Sequence, residues 1–280
     1  MSVSAAQIQF RDETIAAFEV GASLLRDTVT TEAVMKGNQA TFLVAGTGGA
    51  SAVTRGVNGR IPARQNDNTQ NTATLVEWHD KVEETGFNIF ASQGNQRSIM
   101  QQGVVKVMNR QVDDDIITLL NTGSVNTGSA AVGSLNLVLK AKTKLQNAEI
   151  PWDMNLTGLI TPAMDSYLET IDAYSSADYV DIKANENPNA WSDKPKARRW
   201  KGVNWIVHPN LPGVGTSAEK CFMYHSSALG HAMNTGGMSV ASGYNDEDDF
   251  SYARATCFMG GTLLQNAGIV VINHDGSAYA

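Results

Sequence analysis

The chain is predicted to be an α+β protein, because helical and strand-like patterns are mixed along it without a regular alternation of strand and helix. Apolar residues recur at intervals of three and four between Arg97 and Leu120, which predicts one long amphipathic helix. Near the C-terminus, large side chains alternate with small ones at every second position. This alternation predicts a strand with one face formed by Phe250, Tyr252, Arg254, Thr256 and Phe258. The chain has 280 residues, of which 42% are hydrophobic, so it can form one large or two modest domains.

The N-terminal part divides into a helix and a long polar segment. Helical spacing of apolar residues predicts a short amphipathic helix over residues 10–26. Residues 37–76 contain six Gly, five Asn, six Thr and no lysine. Within them, ATFLVAG and VNGRIPAR are predicted to pair as a long hairpin with a tip at Gly46, Gly48 and Gly49. Such a hairpin cannot bury enough surface to be stable alone, so we expect it to need a partner, such as a second copy.

The central elements follow from local signals. GFNIFAS, residues 86–92, is interpreted as a strand, and the long helix is expected to end at residues 121–123. Ser134 is the predicted N-cap of a second helix. A short buried strand at residues 158–160 precedes a further helix with Thr161 as N-cap and Pro162 at its first position.

The C-terminal part is predicted to be richer in strands. An irregular polar excursion at residues 174–200 leads into the strand GVNWIVHP. A last helix is expected at about residues 226–234, ending before a glycine pair. The acidic residues 246–249 then precede the alternating strand, and residues 269–272 form a closing strand.

Charge and hydropathy exclude several classes of protein. The formal net charge of −7 argues against sequence-independent affinity for phosphate backbones. No apolar run approaches the ~18 residues of a membrane span. The first twenty residues include Arg11, Asp12, Glu13 and Glu19, where a signal peptide would need an apolar stretch. We therefore expect a protein that is made and kept in a cytoplasm and has no membrane partner.

Side chains with catalytic or metal-binding chemistry are few. Cys221 and Cys257 have apolar or aromatic neighbours and are predicted to be buried, inert thiols. Cys221, His225 and His231 come closest to a metal cluster, but no second pair completes a site. We therefore predict no cofactor, no bound metal and no catalytic residue. The acidic residues 113–115 and 246–249 are interpreted as solvated or inter-subunit faces, and the basic residues 194–199 as a solvated loop that could meet an acidic surface.

The order of these parts, rather than any single motif, is the most informative feature. The phrases FEVGASLLRDTV, ATFLVAG with GRIPAR, and QGVVKVMNRQVDDDIITLLNTG occur in the first half of the chain. GLITPAMDSYLETI, RWKGVNWIVHPNLP and GGTLLQNAGIVVI occur in the second. Together they resemble the major capsid protein of tailed bacteriophages with the Hong Kong 97-type fold, an architecture shared with encapsulins. The resemblance spans nearly the whole chain.

This resemblance implies a division into four parts. Residues 1–36 resemble the N-terminal arm and 37–76 the extended loop that lies over a neighbouring subunit. Residues 77–130 with 237–262 resemble the peripheral domain. Residues 131–236 with 263–280 resemble the axial domain at the capsomer centre. Some relatives cross-link a loop lysine to a neighbour, but residues 37–76 contain none, so an isopeptide bond from this loop is excluded.

The implied function is self-assembly into pentamers and hexamers of an icosahedral or prolate shell around double-stranded DNA, without enzymatic activity. The implied partners are other copies, a separate scaffolding protein, a portal, a decoration or cement protein, and weakly contacted DNA. The implied location is the virion capsid, after assembly in the host bacterial cytoplasm. Two alternatives stay open: an encapsulin-like compartment, and a soluble α+β enzyme using His208 or the group Cys221, His225 and His231.

Charge complementarity suggests where copies meet. Residues 41–76 contain three arginines against one aspartate, so this segment is positive while the chain is negative. We expect the loop to contact acidic residues of a neighbour. The candidate inter-subunit contacts are Phe42, Arg55, Arg60, Arg64, Asp113, Asp114, Asp115, Asp246, Glu247, Asp248 and Asp249.

Overall fold

Among the residues that the computed structural model describes, the strands form two five-stranded sheets and a separate two-stranded hairpin. The structure describes residues 23–34, 36–47, 49–64, 66–88, 96–175 and 198–279. Most of the helix predicted at 10–26 and of the excursion predicted at 174–200 therefore lies outside the described residues. The strands are β1 (Thr30–Val34), β2 (Gln39–Gly46), β3 (Asp67–Thr74), β4 (Val76–Thr85), β5 (Leu156–Ile160), β6 (Arg198–Trp200), β7 (Val203–Val207), β8 (Glu219–His225), β9 (Leu229–Asn234), β10 (Ser239–Asn245), β11 (Phe250–Leu263) and β12 (Ile269–His274).

The first sheet has the order β1-β9-β11-β10, and β4 pairs with β11 as well. The long strand β11 makes this arrangement possible, because its first part pairs with β4 and β10 and its last part pairs with β9. The long helix Gln96–Leu120 packs on one face of this sheet. On that face, the buried residues Ala253 and Ala255 lie in one hydrophobic core with Val104 and Ile116 of the helix.

The predicted alternation in β11 is confirmed. Ser251, Ala253 and Ala255 are buried, whereas the intervening Phe250 and Arg254 are half-buried or exposed. The face with the larger side chains is therefore the one turned away from the long helix. Small residues on the inner face allow the helix to approach the sheet closely.

The second sheet has the order β12-β8-β5-β7-β6, with only β5 and β7 parallel. The helices Leu135–Asn147 and Pro162–Glu169 contribute to a second core with this sheet, in which Trp200 and Trp205 are fully buried. Both predicted caps are confirmed, since Ser134 accepts a hydrogen bond from Leu137 N and Thr161 accepts one from Met164 N. The closing strand predicted at 269–272 is confirmed as β12.

Three predicted elements are wrong. Residues 226–234 do not form a helix: a short 3-10 turn, Ser226–Ala228, leads into β9. Residues 86–88 of the predicted strand GFNIFAS are helical, and the strand lies earlier, at β4. β2 pairs with β3 rather than with VNGRIPAR. In each case the true strand lacks a clear apolar alternation, because β9 is buried on both faces and the exposed positions of β3 and β4 are mostly polar or charged.

The hydrogen bonding of β9 bears on the division into domains. Residues 131–236 are predicted to form one domain with residues 263–280. Within that range, however, β9 pairs with β11 and β1 of the first sheet, whereas β5 to β8 belong to the second sheet. β1 itself belongs to that sheet, although it falls within the predicted arm. Among the described helices, none is both long enough and apolar enough to cross a membrane.

Candidate assembly surface

The hairpin of β2 and β3 carries the predicted extended loop. Its antiparallel ladder runs from the pair Gln39–Thr74 to the pair Gly46–Asp67. Beyond that last pair, residues 49–64 form neither helix nor strand, and we call them the loop tip. A small turn closes the tip, in which Gly56 N donates to Arg60 O at 3.0 Å.

The base of the hairpin is fixed within its own chain by Phe42. This side chain is 7% exposed and lies in a small core with Ala40, Ala73 and Ala232. A Cβ atom at Gly230 of β9 would lie only 2.9 Å from the Phe42 ring, so glycine is needed for this close approach. The burial leaves Phe42 no surface for a neighbour, and we withdraw it as a contact between copies. Among the described residues, the base of the hairpin packs against β9, whereas the tip is exposed.

Aliphatic side chains of the loop tip and of the adjoining strand are turned to solvent. Val53 is 62% exposed, Ile61 is 70% exposed and Val57 is fully exposed. Leu43 of β2 is 72% exposed on the face opposite to Phe42. Several exposed aliphatic residues in one projecting segment are typical of a surface that is covered by another molecule.

The arginines of the loop tip give it positive charge. Arg55, Arg60 and Arg64 are exposed, and residues 49–64 contain no acidic residue. Arg55 donates to Gly59 O at 3.3 Å and so helps to close the tip. Arg60 and Arg64 form no ion pair with any residue that the structure describes. Their charges are available to an acidic partner.

Residues 246–249, which we call the acidic turn, join β10 to β11 and are all exposed. The turn is held by its own side chains. Asn245 donates to an Asp248 oxygen at 3.2 Å, and the Tyr244 hydroxyl donates to Asp249. The bond to Asp249 raises the pKa of Tyr244 above its usual range. The turn thus presents four acidic residues to solvent, and hydrogen bonds hold the carboxylates of Asp248 and Asp249.

The other acidic run, residues 113–115, faces inward. Asp113 is 2% exposed and accepts hydrogen bonds from residues near the start of the described chain. Asp115 is half-buried and lies 3.5 Å from His231 Nε2. Burial raises the pKa of Asp114, and this effect outweighs the opposing one of His208. The interpretation as a solvated or inter-subunit face is therefore wrong for Asp113, whereas Asp114 and Asp115 are half-buried and stay predicted contacts.

Residues considered for catalysis or metal binding are dispersed. Cys221 and His225 lie on β8, and burial raises the pKa of Cys221 to about 12, which keeps its thiol protonated. His225 contacts Asp153 at 3.1 Å, whereas His231 contacts Asp115. Within the described ranges, no three metal-binding side chains converge. Of the basic residues 194–199, those at 194–197 lie outside the part of the chain that the structure describes.

The role of Phe42 can be tested with a matched pair of variants. We expect Phe42→Ala to destabilise the hairpin by about 3 kcal/mol, because it removes the largest side chain of the small core. The amides of β2 and β3 should then exchange with solvent faster, while those of the two large sheets should not change. Leu43→Ala, one residue away but exposed, is the control. Equal exchange in both variants, measured by mass spectrometry, would show that Phe42 does not fix the hairpin.

Comparisons with known proteins bear on the whole chain. A family model described as phage capsid protein matches residues 3–276. No curated protein matches the chain. A structure from Mycobacterium phage Che8 is 15% identical, with a TM-score of 0.70 and coverage of 96% of each chain. The capsid of cyanophage P-SCSP1u is 12% identical, with a TM-score of 0.68 and coverage of 95% of this chain and 92% of that one.

A third similar structure is the capsid of a native GTA particle, which is 14% identical, with a TM-score of 0.68. The similarity covers 95% of this chain and 94% of the GTA capsid chain. These similarities confirm the predicted α+β capsid fold and are consistent with its Hong Kong 97 type. With the family model matching nearly all of its length, the chain belongs to the phage capsid protein family.

Proposed function

We propose that this chain is the shell subunit of a tailed phage, assembling into pentamers and hexamers of a closed icosahedral or prolate capsid that encloses double-stranded DNA. One observation supports assembly above all. The loop tip projects exposed aliphatic side chains and unpaired arginines that its own described chain does not cover. A neighbouring copy would bury the aliphatic surface and pair the charges. No catalytic step is part of this function.

We assign the two sheets to the two domains of the shell subunit. The first sheet, with the long helix, corresponds to the peripheral domain, and it includes β1 and β9. The second sheet, with its two helices, corresponds to the axial domain at the capsomer centre. This moves the boundary inferred from sequence from residue 236 to about residue 228, since β9 begins at Leu229.

The loop tip is proposed to meet the acidic turn of a neighbouring copy. The tip is positive and the acidic turn is negative, and both are exposed. Because the same pair recurs between all equivalent subunits, small contributions add up over a symmetric shell. Arg60 and Arg64 are the proposed contacts on one side, and Asp246, Glu247, Asp248 and Asp249 those on the other.

Further partners follow from the shell function. A separate scaffolding protein, a portal and a decoration or cement protein would complete the particle. The proposed location of the chain is the virion capsid, after assembly in the host cytoplasm. An encapsulin-like compartment is the second candidate, since it shares the fold. The long hairpin favours the virus, because encapsulin-type shells usually have a short or repositioned loop.

Contact with DNA is expected to be weak and non-specific. The net charge of −7 repels phosphate on average. The unassembled subunit should give no measurable binding to a short fluorescent duplex at physiological salt, as judged by anisotropy. A micromolar complex with steep salt dependence, lost when Lys194, Lys196, Arg198 and Arg199 are neutralised, would place those residues on a DNA-binding surface instead.

Sedimentation and electron microscopy of the expressed chain test the assembly itself. We expect closed particles, or capsomers that close when a scaffolding protein is co-expressed. A cargo enzyme inside particles formed without a portal would favour the compartment. A chain that stays monomeric at high concentration and with the scaffold present would contradict both shell functions.

A further inference from the structure

A single buried carboxylate holds the point at which the N-terminal arm joins the body of the subunit. Asp113 of the long helix accepts a hydrogen bond from Ser23 Oγ at 2.6 Å and one from Leu25 N at 3.1 Å, both at Oδ1. Leu24 N donates to both carboxylate oxygens, at 3.2 and 3.1 Å. Residues 23–25, which we call the arm root, thus donate hydrogen bonds from three groups to one carboxylate.

The arm root is also tied to the second sheet. Thr28 Oγ1 donates to Leu25 O at 2.6 Å, so the Tyr224 hydroxyl, 2.6 Å from the same Oγ1, is the donor in their contact. Tyr224 belongs to β8, and the chain then continues into β1 of the first sheet. The arm root therefore lies where the long helix and both sheets meet.

His208 completes the surroundings of the carboxylate. Its Nδ1 accepts a hydrogen bond from Asn210 N at 3.2 Å, so the neutral ring has its proton on Nε2. That nitrogen lies 3.7 Å from Asp113 Oδ2, and both side chains are nearly fully buried. Asp113 consequently faces a potential donor on each side, from the arm root and from the loop after β7.

We propose that Asp113 is a positioning residue that fixes the position and direction of the chain at the arm root, and that assembly requires this. An apolar side chain at position 113 would leave Ser23 Oγ, Leu24 N and Leu25 N without their acceptor, so the carboxylate is needed for this conformation of the chain. What the carboxylate adds is direction, since three donors from consecutive residues can satisfy it in one arrangement only. The part of the proposal that concerns assembly rests on the proposed function.

Trypsin provides a direct readout, because Arg26 lies one residue beyond the arm root. In Asp113→Asn, an NH2 group replaces one carboxylate oxygen, so the hydrogen bond from Leu24 N to Oδ2 is lost, and the bonds to the remaining oxygen lose the negative charge of their acceptor. We expect cleavage after Arg26 to become about tenfold faster, since the local opening that exposes it becomes easier. Mass spectrometry would detect the fragment that begins at Asp27.

The matched control is Asp114→Asn, which removes the same charge from the next position of the helix. Burial already raises the pKa of Asp114, so a neutral amide is tolerated there, and the cleavage rate should equal that of the original chain. Ser23→Ala removes one donor to Asp113 and also the acceptor of Arg26 N, so it should accelerate cleavage as well, and it keeps the test available if Asp113→Asn does not fold. Near-ultraviolet circular dichroism verifies the fold of each variant.

The outcomes separate this inference from the shell function. Equal cleavage of folded Asp113→Asn and Asp114→Asn would overturn the positioning role, and so would an unaltered rate in Ser23→Ala if Asp113→Asn is unfolded. Faster cleavage with undiminished shell yield would overturn the claim that assembly requires the arm root to be fixed. Since the cleavage assay uses unassembled subunits, failure of every variant and of the original chain to assemble would count against the proposed function alone.

Discussion

Replacing residues 47–66 by Asn-Gly is expected to abolish closed shells and to leave a folded subunit. The last pair of the hairpin ladder is Gly46–Asp67, so a two-residue type I′ turn can connect β2 directly to β3. Phe42 and its small core stay in place, and the large sheets are not changed. The variant loses the exposed Val53, Val57 and Ile61 together with all three arginines of the tip.

Sedimentation and electron microscopy should show this variant as monomers or open capsomers, with the thermal unfolding of the original subunit. A second variant, with Val53, Val57 and Ile61 changed to Ser at unaltered loop length, separates lost contact from lost reach. It should assemble poorly as well, because the aliphatic surface to be buried is gone. Closed particles of normal stability from the shortened chain would rule out the loop tip as an assembly element.

Reversing two charges at the tip is expected to have the next largest effect. Arg60→Glu with Arg64→Glu turns attraction to the acidic turn into repulsion. Each exposed pair contributes only about 0.2–1 kcal/mol, but symmetry repeats the change at every subunit. We expect assembly to fail at low salt and to recover partly at high salt, where repulsion is screened. Folding should be unaffected.

The control reverses Lys140 and Lys144, two exposed residues of the helix Leu135–Asn147, and makes the same change in net charge. Changing Asp246, Glu247, Asp248 and Asp249 to Lys in the reversed variant should restore part of the assembly yield, measured by sedimentation. If the control impairs assembly equally, net charge rather than this contact is responsible. Failure of the compensating change would assign the partner of the arginines elsewhere.

Local signals were sufficient to predict several elements from the sequence. The long helix repeats its apolar residues over many turns, which no strand would do. Ser134 and Thr161 are helix caps whose hydrogen bonds involve residues three positions away, so their role depends on near neighbours only. The alternation in β11 is visible because one of its faces packs on the helix and the other does not.

Features that depend on distant partners could not be predicted. β9 is buried on both faces, by the long helix and by the hairpin base, so its sequence has no alternation. Phe42 lies in a segment that the sequence predicts to have no core of its own, and only the fold brings Gly230 and Ala232 of β9 against it. Asp113 resembles a surface carboxylate in sequence, and only the fold brings Ser23 and His208 to it. The arginines of the loop tip are exposed, but they lie outside the strands of the hairpin in which the sequence places Arg60 and Arg64.

A cryo-electron microscopy reconstruction of the particles formed by this chain is the most direct test of the central claim, which is that the loop tip makes contacts between copies. We predict that residues 49–64 of each copy lie on a neighbouring copy, with the aliphatic side chains covered and Arg60 and Arg64 beside the neighbour's acidic turn. A reconstruction in which the tip folds back on its own subunit, or points to solvent without contacting another copy, would contradict the account.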